Sequence, residues 1–116
     1  MTEIKFKEIE PGTILYTSWG YDVTNNDYCK VLENTGKTLK CVMIGATIVP
    51  SEGYAYGAGE EMPNPDHVIS EPFRLRIIHP KRYSPYISGT YQYCRGGKRK
   101  GYFWLHSGKA NYFSSD

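Results

Sequence analysis

Short runs of alternating apolar and polar residues, separated by glycine-containing turns, constrain the fold of this chain more than any other feature. The clearest run is residues 73–77 (FRLRI), where an extended backbone would place the apolar side chains on one face and the arginines on the other. This period of two is typical of a half-buried β-strand. Leu39, Cys41 and Met43 repeat the pattern around Lys40. The alternation therefore predicts a sheet with one buried face.

Turn chemistry indicates how these strands are connected. Residues 34–37 (NTGK), 95–98 (RGGK) and 107–109 (SGK) each place glycine between two strand-like runs, where it supplies the positive φ of a tight hairpin. We count six to eight short strands in total. Their close spacing predicts a mainly β fold, a small antiparallel barrel or strongly curled sheet, with an SH3-like barrel as the first choice. At most one short helical turn is expected, near residues 80–84.

Length and composition indicate a single domain covering residues 1–116. No run approaches the roughly 18 apolar residues of a membrane span, and the first residues lack the layout of a secretory signal, so we expect a cytoplasmic protein without a membrane partner. The three cysteines, Cys29, Cys41 and Cys94, are not spaced as zinc ligands or as a disulfide framework. We interpret them as reduced strand residues.

Two segments are predicted to lie outside the strands. Residues 50–66 contain three prolines, three glycines and four acidic residues, a composition that predicts a long acidic surface loop. Residues 114–116 are expected to form a loose tail.

A polar, aromatic corner is predicted after the first strand. Residues 12–28 (GTILYTSWGYDVTNNDY) continue from a strand into residues suited to tight turns. One interpretation is a rigid corner in which Trp19 covers the core, and the other is a recognition edge with exposed aromatic side chains. The candidate residues of this corner are Trp19, Tyr21, Asp22, Thr24 and Asn25.

The same stretch, together with residues 31–38 (VLENTGKT), resembles a group of small uncharacterised phage and mobile-element proteins. These proteins share a strand, an SWGYDxTN core and a Thr-Gly-Lys hairpin, and the resemblance covers residues 11–45. It implies a viral or mobile-element origin and assigns no activity.

Charge is divided unevenly along the chain. Residues 1–66 carry five Lys/Arg and ten Asp/Glu, whereas residues 67–116 carry nine Lys/Arg and two Asp/Glu. Either the positive half faces an anionic partner or the two halves neutralise each other in the fold. In the positive half, a cluster of cations is flanked by aromatic residues, a combination that suits phosphates and unpaired bases. The candidate nucleic-acid-binding residues are Arg74, Arg76, Arg95, Lys98, Arg99, Lys100, Tyr91, Tyr93, Tyr102 and Trp104.

The sequence favours binding over catalysis. It contains no glycine-rich phosphate loop, HExxH or GxSxG motif, and we expect no catalytic residue, metal or cofactor. Nucleic acid is slightly favoured as the partner. A protein-binding module or inhibitor of a host protein, which would use the tyrosine-rich surface and the acidic loop, is the alternative. A homo-oligomer joined by edge strands is a third interpretation.

Overall fold

Across the residues that the structure describes, eight β-strands form the regular structure of this protein. The computed structural model describes residues 9–20, 24–49, 58–92 and 97–114. No helix that could span a membrane occurs in these ranges, and residues 80–84 bend without forming a helical turn. The prediction of six to eight strands is confirmed. The strands are β1 (Ile14–Trp19), β2 (Asn25–Asn34), β3 (Thr38–Val49), β4 (Ala58–Val68), β5 (Phe73–Ile78), β6 (Tyr86–Gln92), β7 (Lys98–Leu105) and β8 (Asn111–Ser114).

Six of the strands close into an antiparallel barrel. Their order is β2-β1-β7-β6-β5-β3, and β3 pairs again with β2, so that the sheet returns to its starting strand. The turn at Asn34–Gly36 connects β2 directly to β3, the two strands whose pairing closes the barrel. In this turn the Asn34 side chain accepts a hydrogen bond from the Gly36 amide at 2.8 Å, and Gly36 has a φ of 90°. The predicted small antiparallel barrel is confirmed, and the SH3-like topology stays a prediction.

Strands β4 and β8 extend the sheet beyond the barrel. β3 has 12 residues and continues past the barrel, where residues 46–49 pair with residues 60–63 of β4. β4 in turn pairs with β8 through residues 58–61. The prediction of a continuous loop over residues 50–66 is therefore wrong for residues 58–66, whereas residues 50–57 lie outside the described ranges. Ser114, assigned to a loose tail, pairs with Ala58, and residues 115 and 116 lie outside those ranges.

The prolines of β4 explain why its composition was misleading. Pro63 and Pro65 have no amide proton, and a proline is tolerated in a strand where no neighbour needs that donor. The pairing of β4 with β8 stops at Glu61, so both prolines lie beyond it. A proline-rich strand is thus accommodated next to the long, otherwise unpaired end of β3.

Alternating side chains of the six barrel strands fill the interior. Leu75 is fully buried whereas Arg74 and Arg76 are exposed, as the period of two predicted. Cys29 and Cys41 are buried free thiols, and burial raises the pKa of the Cys29 thiol. Cys94 lies outside the described residues. The inner core consists of Ile9, Leu15, Cys29, Val31, Leu39, Cys41, Met43, Leu75, Ile77, Ile87, Tyr91 and Phe103.

A second apolar cluster lies on the outside of the barrel. Tyr28, Val42 and Ile44 are buried there against Ile14 and Tyr16. The Tyr28 hydroxyl donates to Glu61 Oε1 of β4 at 3.0 Å. Burial, reinforced by the Glu61 carboxylate, raises the pKa of the Tyr28 phenol far above its ordinary value of 10.0. β4 is therefore held to the barrel by this hydrogen bond as well as by its pairing with β3.

We predict that Gly89→Ala destabilises the barrel by about 1–3 kcal/mol through overpacking. Gly89 pairs with Gly101 of β7, and a Cβ at Gly89 would meet Leu75 Cδ2 at 2.8 Å and the Arg74 carbonyl oxygen at 3.2 Å. Urea unfolding measures the change as a lower midpoint at an unchanged slope. Thr90→Ala, at the exposed neighbouring position, is the control. Equal midpoints for the two variants would contradict the prediction.

The raised pKa of the Tyr28 phenol predicts a loss of stability at alkaline pH. In the unfolded chain its phenol ionises near pH 10.0, whereas the folded protein keeps it neutral. Above that pH the unfolded state releases a proton that the folded state retains, so the free energy of unfolding falls as the pH rises. At neutral pH, Tyr28→Phe should lower the free energy of unfolding by about 1 kcal/mol, because the variant lacks this hydrogen bond. Between pH 9 and 11, its free energy of unfolding should fall less steeply than that of the wild type.

Urea unfolding at several pH values measures both effects. Tyr83→Phe, at an exposed position, is the control and should reproduce the alkaline slope of the wild type. An alkaline slope in Tyr28→Phe as steep as that of the wild type would show that this phenol does not carry the effect.

Candidate functional site

The outer surface of β5, β6 and β7 combines cationic and aromatic side chains. Leu75, Ile87 and Phe103 point into the barrel and are buried, so the residues that alternate with them point outward. We call this surface the basic-aromatic face. It consists of Arg74, Arg76, Tyr86, Lys98, Lys100, Tyr102 and Trp104, all of which are exposed.

The cations of the face lie on both sides of β6. Arg76 of β5 pairs with Ser88 of β6, and Ser88 pairs with Tyr102 of β7. Lys100 of β7 pairs with Thr90 of β6. Because neighbouring strands are about 4.8 Å apart, the backbones of β5 and β7 that carry these cations are roughly 10 Å apart.

Among the described residues, these positive charges are not paired with carboxylates. Arg74 Nη1 donates to Thr38 Oγ1 at 3.2 Å, a neutral partner on β3. Across the ranges that the structure describes, Arg74, Arg76, Lys98 and Lys100 form no ion pair with a carboxylate. Within the part of the chain that the structure describes, the face therefore presents four cations to solvent without an ion-paired carboxylate.

Aromatic rings continue the face toward β1. The Tyr86 and Tyr102 rings meet edge to face at a centroid distance of 5.5 Å. Trp104 packs at 5.9 Å against Tyr16 of β1, its partner in the β1–β7 pairing. Tyr102 remains 56 % exposed and Trp104 46 % exposed. Large rings that are grouped and half exposed offer flat surfaces for stacking.

Tyr91 was predicted to stack on a ligand, and this is wrong. It is buried in the core, where its ring packs at 5.2 Å against Phe103 and its hydroxyl donates to Asp27 Oδ2 at 3.0 Å. The reason is the strand period, since Tyr91 points to the same side as Ile87. A ring in this position is enclosed by protein and cannot stack on a base.

Arg99, another predicted residue of the positive half, is not part of the face. Arg99 pairs with Tyr91, and therefore lies on the inward-facing side of β7 at the end of the barrel. Its guanidinium carbon is 5.4 Å from the Trp19 ring centroid. Tyr93 and Arg95 lie outside the described residues.

The corner after β1 is tied to the barrel by one carboxylate. Trp19 Nε1 donates to Asp27 Oδ2 at 2.7 Å, the same oxygen that accepts from Tyr91. Asp27 is buried, whereas Thr24 and Asn25 are half-buried. This contact favours the structural interpretation of Trp19 over an exposed recognition edge. Tyr21 and Asp22 lie outside the described residues.

A cleft of about 500 Å³ lies beside this corner, where β2 and β3 separate. Asn25, Asp27, Glu61 and Gln92 contribute its polar lining. Glu61 is fixed by Asn26 Nδ2 at 3.0 Å as well as by the Tyr28 hydroxyl. Within the described ranges, no three His, Cys, Asp or Glu side chains are grouped as metal ligands.

Sequence reasoning missed two residues next to the predicted set. Tyr86 belongs to the face, and its alternation with Ile87 in residues 86–90 (YISGT) was a usable signal. Lys40 lies beside Arg74 on β3. No sequence signal marked that pairing, because strand order cannot be read from periodicity.

Comparison of the chain with protein-family models, with curated proteins and with solved structures finds no match in any of the three. The function of the basic-aromatic face is therefore inferred from its own chemistry and geometry.

Proposed function

We propose that this chain is a non-catalytic binding module that binds single-stranded nucleic acid across the basic-aromatic face. One observation carries the proposal. Four cations without a carboxylate partner in the described ranges share an exposed surface with Tyr86, Tyr102 and Trp104. Cations recognise phosphates of any sequence, and aromatic rings stack on unpaired bases.

The arrangement suits a single strand better than a duplex. In a duplex the bases are stacked on one another, and only their edges and the phosphates are accessible. Half-exposed rings such as Tyr102 would find no base face there. An unpaired strand offers both its phosphates, for Arg76 and Lys100, and its base faces, for Tyr102 and Trp104.

The distribution of acidic residues supports the same proposal. Asp27 and Glu61 belong to the cleft where β2 and β3 separate, not to the face. In the closed strand order, β2 lies across the barrel from β6. Among these residues, the acidic and basic groups that are separated along the chain are also separated in space. The positive field over β5–β7 would attract a polyanion.

The alternative is that the chain binds a host protein through its exposed tyrosines. Tyr83 is 78 % exposed beside the face, and tyrosine provides large contact area at small entropic cost. The two candidates differ in salt dependence. A contact dominated by tyrosine would respond weakly to ionic strength, and the partner would remain bound after nuclease treatment. Binding to phosphates would weaken steeply as the salt concentration rises, and nuclease would remove the partner.

We also propose a phage or mobile-element origin for the chain. Its support is the resemblance of residues 11–45, with the sequence SWGYDVTN at positions 18–25, to the small proteins described above. Co-occurrence of this motif with phage genes in sequenced genomes tests the origin independently of the binding activity.

The paired variant Arg74→Gln/Arg76→Gln should weaken binding to a fluorescent single-stranded oligonucleotide and flatten its salt dependence. Each lost phosphate contact lowers the slope of log K against log salt by about 0.7 for a single strand, so the slope should fall by up to about 1.4. Fluorescence anisotropy at several salt concentrations measures both quantities.

Lys30→Gln/Lys109→Gln is the matched control, because it removes the same net charge elsewhere. Lys30 lies on β2 and bonds the Pro65 carbonyl oxygen, and Lys109 lies between β7 and β8. This control should keep most of the wild-type slope. Equal effects of the two paired variants would contradict binding at the face.

The stacking role of Tyr102 predicts a different signature. Tyr102→Ala should reduce the binding free energy by about 1–3 kcal/mol, the usual value for one base stacked on an aromatic ring, without changing the salt slope. Tyr112→Ala is the control, since Tyr112 is an exposed tyrosine of β8. Unchanged affinity in Tyr102→Ala would remove this residue from the binding surface.

A further inference from the structure

A slot interrupts the basic-aromatic face between β5 and β6. The pairing of these strands ends at Arg76 and Ser88, although β5 begins at Phe73 and β6 continues to Gln92. The two strands are still in close contact at Leu75 and Gly89, so they separate only between the first residues of β5 and the last residues of β6. A groove of about 340 Å³ occupies the gap, and this volume falls within the range of small-molecule sites.

One wall of the slot is rigidly placed. The Ser70 hydroxyl accepts a hydrogen bond from the Met43 amide at 2.9 Å and donates to the Glu71 carbonyl oxygen at 2.9 Å. Pro72 follows directly and restricts the backbone. The wall is thereby fixed to β3 before any ligand enters. The slot is lined by Ser70, Glu71, Pro72, Phe73, Thr90, Tyr91, Gln92 and Lys98.

The opposite wall directs backbone polar groups into the slot. The Ile77 amide donates to Lys37, so the backbone groups of Ile77 face away from β6. In antiparallel ladders these directions alternate along a strand. The backbone groups of Arg76 and its partner Ser88 therefore face each other. By the same alternation, the backbone groups of Thr90 and Gln92 point from β6 toward β5, into the slot beyond the last pair.

We propose that this slot takes one unpaired base of the bound strand and prefers a base with an exocyclic amino group. The inference rests on the proposed binding of nucleic acid and adds a base preference to it. The position fits, because Lys98, a cation of the face, lines the slot, and Arg74 directly follows the lining residue Phe73 in β5. Phosphates on either side of the inserted base would lie within reach of these cations.

The preference follows from the side chains at the slot. The Glu71 carboxylate only accepts hydrogen bonds at neutral pH, and the Gln92 amide can accept one while donating another. The amino groups of cytosine and adenine donate to such acceptors. Uracil and thymine present a carbonyl oxygen at the corresponding position, which a carboxylate repels. Phe73 is half-buried at the slot, where it offers a surface for the ring.

Anisotropy titrations with oligo-dC and oligo-dU of equal length, at pH 7.5, test the inference. The two strands have the same backbone and differ at the base by an amino group against a carbonyl and by N3, which accepts a hydrogen bond in cytosine and donates one in uracil. The wild type should bind oligo-dC about tenfold more tightly, the discrimination expected from one good polar contact to a base. Glu71→Gln should reduce that ratio to within about threefold, mainly by improving the binding of oligo-dU.

Glu33→Gln is the matched control, because Glu33 is an exposed carboxylate of β2, and it should keep the wild-type ratio. Far-ultraviolet circular dichroism establishes that each variant is folded. A wild-type ratio near one, or a ratio that Glu71→Gln leaves unchanged, would overturn the base preference while leaving nucleic-acid binding intact. Failure of the folded wild type to bind either strand at low salt would overturn both proposals.

Discussion

Pairing between β2 and β3 is the constraint on which the rest of the structure depends. It joins the two ends of a six-stranded sheet, so every barrel strand has a neighbour on both sides and an enclosed inner face. Closure removes the edges that would otherwise pair with other chains. It also fixes which residues point outward, because each strand must turn its apolar side inward. The basic-aromatic face is a consequence of that requirement on β5, β6 and β7.

Local periodicity predicted much of this arrangement from sequence. Residues 73–77 alternate strictly, and this alone placed Leu75 inside and Arg74 and Arg76 outside. The same rule, applied to β6, would have placed Tyr91 inside with Ile87. Without this rule, a tyrosine next to a basic hairpin favours a ligand contact, and the prediction for Tyr91 is wrong for that reason. The buried Asp27, which accepts the Tyr91 hydroxyl, lies 64 positions away, and no local pattern reveals such a partner.

Other features could not be predicted because they depend on long-range pairing. Pro63 and Pro65 argue against a strand when β4 is considered alone, and only the free end of β3 makes that strand favourable. The slot between β5 and β6 depends on where a ladder stops, which the sequence of neither strand shows. Composition located the positive charge correctly along the chain, but strand order decided which of those cations share a surface.

The bond between Asp27 and Tyr91 has a mechanical consequence. β2 and β6 occupy opposite walls of the barrel, and this hydrogen bond crosses the interior to connect them. It acts as a strut that holds the end of β6 at a set distance from β2. If the gap beside Gln92 widens to admit a ring, the movement must therefore come from the β5 side. There Ser70 anchors the chain to Met43 and Pro72 restricts the backbone, which leaves the half-buried Phe73 side chain as the part able to move.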